Sequence, residues 1–123
     1  MGIELIASWE GQTESERKSQ QATAFDATCG HAGYLWEEYQ EEPQYATRYL
    51  CREAFREGKA RIEASVLKER LPRALILAER IAYDTFGDER FIERVKQSFR
   101  DFVALCERKE KETGEPVLIT ANY

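Results

Sequence analysis

Residues 26–36 read DATCGHAGYLW, and the fold turns on whether this stretch continues a helix or interrupts one. Just upstream, Thr13-Glu14-Ser15-Glu16 forms a capping box, in which the Glu16 N–H donates to Thr13 and the Glu16 carboxylate reaches back. Phe25, Thr28/Cys29, Ala32, Leu35/Trp36 and Tyr39 then recur at steps of three and four, the spacing of an apolar stripe on a helix. That period predicts one helix through the quoted stretch, stopping before Pro43, whose ring disfavours a helical residue ahead of it. Ala22, Asp26, Gly30 and Gly33 fall along another face of it. A glycine inside a helix costs about 1 kcal/mol relative to alanine. Gly30 and Gly33 therefore call for a reason, and both mark the place where another helix, a partner or a ligand is expected to approach.

The stretch also holds the chain's only histidine, His31, two positions after Cys29. On a helix, two positions apart means side chains about 200° apart around the axis, so the pair cannot grip one metal ion. The neighbours of His31 on its own face are Ala27, Thr28, Tyr34 and Leu35, none a usual ligand. A Cys–His nucleophile pair survives only if the glycines break the helix.

Working outward, Pro43 is placed to open a second helix carrying Ala46, Tyr49/Leu50 and Ala54, which Gly58 ends or bends. A third segment follows with Ile62, Val66/Leu67, Leu71, Ala74/Leu75, Ala78 and Ile81/Ala82. Pro72 is expected to kink or restart it, since an interior proline costs about 3 kcal/mol. Phe86-Gly87-Asp88 is a stop signal, with Gly87 suited to a left-handed helix end and Asp88 to the next N-cap. The last helix carries Phe91/Ile92, Val95, Phe99, Phe102/Val103 and Cys106 and runs out by Gly114.

The two ends follow a different period. Ile3, Leu5, Ala7 and Trp9 alternate with Glu4, Ile6, Ser8 and Glu10, and Val117, Ile119, Ala121 and Tyr123 repeat that spacing. Short turns between helices favour antiparallel neighbours. The expected fold is a mainly α, up-and-down bundle of four to five helices in one domain over residues 1–123. Residues 1–9 and 116–123 would be short strands or extended tails, able to pair as a two-stranded ribbon.

At 123 residues, 42% apolar and 33% charged, the chain has the balance of a globular domain rather than a disordered one. No apolar run approaches the roughly 20 residues of a membrane span. The opening MGIELIASWEGQ lacks a basic segment and carries Glu4, so no signal peptide is expected. Cys29, Cys51 and Cys106 are widely spaced and odd in number, which fits reduced thiols and a cytoplasmic location. The net charge of −5 is uneven. Residues 1–43 hold 2 Lys/Arg against 9 Asp/Glu, residues 44–86 hold 9 against 6, and residues 87–123 hold 7 against 8. The acidic first third would attract a basic partner or the chain's own basic middle.

Three constellations carry possible chemistry. In EEYQEE (residues 37–42), Glu38 and Glu41 would share a helix side and could hold Mg²⁺ with carboxylates from another helix. This E-x-x-E spacing resembles half of the motif of all-α nucleoside triphosphate pyrophosphohydrolases of the MazG kind, which implies a Mg²⁺-dependent hydrolase. The second pair of that family, E-x-x-D, is missing. Arg56 follows Glu53, Ala60 follows Glu57 and Ala82 follows Glu79 at that spacing, which leaves Asp84 and Asp88 as the nearest substitutes. A di-iron bundle is excluded, because its E-x-x-H motifs cannot be built from one histidine with Thr28 three positions before it. Arg48, Arg52 and Arg56 form a basic stripe at four-residue steps, with Tyr45 and Tyr49 alongside. Such a stripe could track phosphates and stack bases, but the net charge of −5 argues against nucleic acid.

No phosphate-binding glycine loop, G-x-S-x-G or H-E-x-x-H is present. The expectation is a small interaction protein without a cofactor that binds a protein partner or itself, through Gly30, Gly33, Tyr34, Glu37, Tyr45, Arg48, Tyr49, Arg52 and Arg56. The alternatives are the Mg²⁺ hydrolase on Glu38, Glu41, Asp84 and Asp88, nucleic-acid binding through the arginines, and an acidic inhibitor that occludes a basic site.

Overall fold

The computed structural model describes residues 2–22, 29–39 and 44–123, with the backbone but not the side chains of 84–86. The quoted stretch is not a helix where it is described. Gly30–Ala32 makes one 3₁₀ turn, Gly33 takes φ +88°, and Tyr34–Glu38 runs extended as strand β2 beside β1 (Gly2–Ser8). The capping box is in place at the head of α1 (Glu14–Ala22). There the Glu16 N–H donates to Thr13 Oγ1 at 3.1 Å, and the Thr13 N–H donates to Glu16 Oε1 at 2.9 Å.

The remaining elements are α2 (Ala46–Leu50), α3 (Arg52–Glu57), β3 (Lys59–Ile62), α4 (Ala64–Phe86), α5 (Glu89–Thr113) and β4 (Val117–Asn122). Among the described residues, five α-helices accompany a four-stranded antiparallel sheet of order β2-β1-β4-β3. The fold is mixed α and β, which corrects the expected helical bundle. The first and last segments do pair, Leu5 opposite Ala121 and Ala7 opposite Ile119, but as the two central strands of the sheet. A lone ribbon is marginal in water, and the flanking strands β2 and β3 supply the pairing it would lack.

Alternation decides the faces. Ile3, Leu5 and Ala7 of β1, Leu35 and Glu37 of β2, and Val117, Ile119 and Ala121 of β4 are buried, while Glu4, Ile6 and Ser8 lie on the partly exposed side. Leu5, Ala7, Leu35, Val117, Ile119 and Ala121 share one core with Leu67, Ala74, Leu77 and Ala78 of α4 and Phe99, Phe102 and Val103 of α5. The two long helices form an antiparallel hairpin, clipped across its length by Lys68–Glu107 (2.8 Å) and Lys96–Glu79 (3.6 Å). Their turn is the expected one, with the Gly87 N–H donating to the Tyr83 carbonyl and Asp88 accepting from the Arg90 N–H at 2.8 Å.

Pro72 neither ends nor restarts α4. Core residues Leu67, Ala74 and Leu77 flank it, and their burial outweighs the roughly 3 kcal/mol of an interior proline. The second helix, expected from Pro43, is described from Ala46 onward, Pro43 lying outside the described residues. It breaks at Cys51 (φ −125°, ψ 45°) and resumes as α3, which Gly58 ends.

Candidate interaction surface

Four of the residues expected at a partner surface are instead built into the interior. A Cβ on Gly30 would overlap the carbonyl oxygen of Ser98 on α5, so the backbone that approaches Gly30 belongs to this chain. Gly33 combines a positive φ with neighbours at 2.7 Å (Gln20 Nε2) and 2.9 Å (Leu105 Cδ2) from a built Cβ. Tyr34 is 2% exposed and donates its hydroxyl to Glu4 Oε2 at 2.6 Å. The helical expectation fails here because strand pairing with β1 and the overlap with α5 are contacts distant in sequence. Local spacing cannot report them.

Among the described residues, Glu37 is the buried carboxylate. It sits on the inner side of β2 and accepts the Ala46 N–H (3.1 Å), the Thr47 N–H (3.0 Å) and the Thr47 hydroxyl (2.6 Å). Burial pushes its carboxyl above the usual range, while the Thr47 and Ala46 bonds and Arg48 pull it back. It therefore anchors the first turn of α2 to the sheet.

Of the carboxylates proposed for Mg²⁺, the described Glu38 lies on a strand rather than a helix. It ends strand β2, and Asp88 is spent capping α5. Glu41 and the side chain of Asp84 lie outside the described residues. Among the described residues, no group of three or more His, Cys, Asp or Glu side chains could hold a metal ion. Cys29 is buried and His31 exposed at the 3₁₀ turn.

Of the remaining five residues on α2, its N-cap and α3, Arg48, Arg52 and Arg56 are exposed, Tyr45 is half-buried and Tyr49 packs partly against the core. The Arg48 guanidinium carbon stands 4.9 Å from the ring centres of both Phe55 and Tyr123, and 5.9 Å from that of Tyr45. The Phe55 and Tyr123 rings are themselves 5.2 Å apart, tied by the Tyr123 hydroxyl donating to the Phe55 carbonyl at 3.1 Å. Tyr39 meets Tyr45 edge-on at 6.5 Å, and Arg52 lies 5.4 Å over Tyr49. Tyr39 and Tyr123 are 43% and 60% exposed, and all three arginines are exposed.

A clamp from behind fixes this surface. Arg70 of α4 donates to both oxygens of Glu53, at 2.7 and 2.6 Å, and to the Leu50 carbonyl at 3.1 Å. Those bonds hold the Glu53 carboxyl down at about 2. Glu53 is thereby paired to Arg70, with Arg52 also lowering its carboxyl. None of the ion pairs among the described residues involves Arg48, Arg52 or Arg56. Sequence reasoning missed Phe55, Tyr123 and the Arg70–Glu53 clamp. Tyr123 lies about 70 residues from the stripe and reaches it only because β4 pairs with β3, the strand that follows α3. Among the described residues, no helix is long and apolar enough to cross a membrane.

No family model, curated protein or solved structure matches the chain.

Proposed function

We propose that the protein works by binding a protein partner through the arginine–aromatic surface of α2, α3 and Tyr123. The observation that carries this reading is Arg48, seated on two ring faces at 4.9 Å and joined by exposed Arg52 and Arg56, with no ion pair to a carboxylate among the described residues. Arginine and tyrosine dominate interface hot spots, because they offer large contact area together with polar edges. The rings hold Arg48 in place before any partner arrives, which lowers the ordering cost of association. The Arg70–Glu53 clamp does the same for the backbone beneath it.

The test is quantitative affinity capture and cross-linking from the source cells with the wild-type chain and the double variant Arg48→Glu/Arg52→Glu, both checked for folding by circular dichroism. A partner retained by the wild type and lost by the variant is the expected result. A strict monomer that retrieves nothing, or a variant that retrieves the same proteins, overturns the reading.

A further inference from the structure

We infer that this surface takes an extended acidic peptide segment of the partner, with carboxylates on alternate residues seated on the edges of Arg52 and Arg56 and a further carboxylate on Arg48. The inference rests on the interaction reading above and names the partner's chemistry.

Charge comes first. Across α2 and α3, Arg48, Arg52 and Arg56 stand against two carboxylates, Glu53, which Arg70 holds, and Glu57. The surface is therefore locally cationic within a chain of net charge −5. Stereochemistry comes second. Rings cover the flat faces of Arg48 and Arg52, which leaves the N–H edges, and those edges match a carboxylate in fork geometry.

Spacing comes third. Helical residues four apart rise about 6 Å, and alternate residues of an extended chain are about 6.6 Å apart. A strand with acidic residues at every second position thus meets Arg52 and Arg56, one turn apart on α3, while Arg48 stands on α2 beyond the break at Cys51. Size comes last. The stripe is confined to two short helices, Ala46–Leu50 and Arg52–Glu57. A short acidic segment fits on them, whereas a long nucleic acid would run on over an acidic molecule and gain little from three phosphate contacts.

The experiment is fluorescence anisotropy with three labelled probes and the full chain. One is a twelve-residue peptide with Glu at alternate positions, the second has the same composition with its Glu residues in one block, and the third is an oligothymidylate of equal length. Expected is salt-dependent binding of the alternating peptide, weakened about tenfold or more by Arg48→Glu and unchanged by Arg94→Glu on the exposed face of α5. Arg48→Gln and Arg52→Gln, which are milder on folding, should weaken it in the same order. Tighter binding of the oligonucleotide overturns the inference in favour of nucleic acid, and equal binding of the block peptide overturns the alternating register. If no probe binds while partner capture still depends on Arg48, the acidic segment is wrong and the interaction reading stands. If capture does not depend on Arg48, the interaction reading fails as well.

Discussion

The backbone of the turn at Gly30 lies directly on the backbone of α5 at Ser98, so closely that a Cβ on Gly30 would overlap the Ser98 carbonyl oxygen. Ser98 cannot yield, because it is buried and its hydroxyl donates to the Val95 carbonyl at 2.6 Å. Gly30→Ala should therefore lose about 3 kcal/mol, as overpacking against a rigid backbone does. Gly11→Ala is the control. Its φ is +79° but nothing stands within 4 Å, so it should lose only about 1 kcal/mol. Denaturant unfolding with a shifted midpoint and unchanged slope measures both.

The Glu53–Arg70 pair sets a dependence on acid. The folded carboxyl lies at about 2 against an ordinary 4.5, so its stabilisation is present above 4.5 and is lost as pH falls through that window. Glu53 is 39% exposed, so solvent screening reduces the effect to about 1 kcal/mol. Unfolding of Glu53→Gln followed across the window should show a shallower acid slope than the wild type. Equal slopes would mean that the pair contributes nothing.

Glu37 behaves in the opposite sense. Burial raises its carboxyl above 4.5, so the folded state holds a proton that the unfolded state has released, and stability declines as pH rises from 4.5 through the raised value. Glu37→Gln should remove that decline. Glu37→Leu, which strands the Ala46 and Thr47 N–H groups, should lose about 2–4 kcal/mol at neutral pH. Thermal melts across a pH series separate the two variants.

Arg48 and Tyr123 should be energetically coupled. A double-mutant cycle of Arg48→Ala and Tyr123→Ala is expected to return about 0.5–1 kcal/mol, the range for a cation over an aromatic face at an exposed site. Strict additivity would mean that the contact does not order the surface.

The three thiols should be silent in the native state. Cys29, Cys51 and Cys106 are buried, and burial pushes the Cys106 thiol up to about 12 and the Cys51 thiol well above its ordinary value. Alkylation monitored by mass spectrometry should label none of them in buffer and all three in denaturant. Fast labelling of Cys106 in buffer would contradict the core described for α5.

Local chemistry determined several parts of this protein from sequence alone. The capping box at Thr13 and Glu16, the break at Gly87-Asp88, the end of α3 at Gly58 and the alternation of residues 3–7 and 117–121 each depend on residues within a few positions of one another. The apolar stripes of α4 and α5 are equally local. Tertiary structure decided the rest. Strand β2 hides from a period-two search because its inward side carries Glu37, a carboxylate made tolerable in the core only by the Ala46 and Thr47 donors of α2. Without that knowledge, Leu35 and Tyr39 fit a helical step just as well. Four-residue β3 is too short for a periodic signal and exists because β4 offers it a partner. The same pairing brings Tyr123 to Arg48, and no spacing in the sequence could announce it. Helix periods and caps are written in neighbouring residues, whereas strand partners, the burial of Glu37 and the reason for Gly30 come from segments that meet only once the chain has folded.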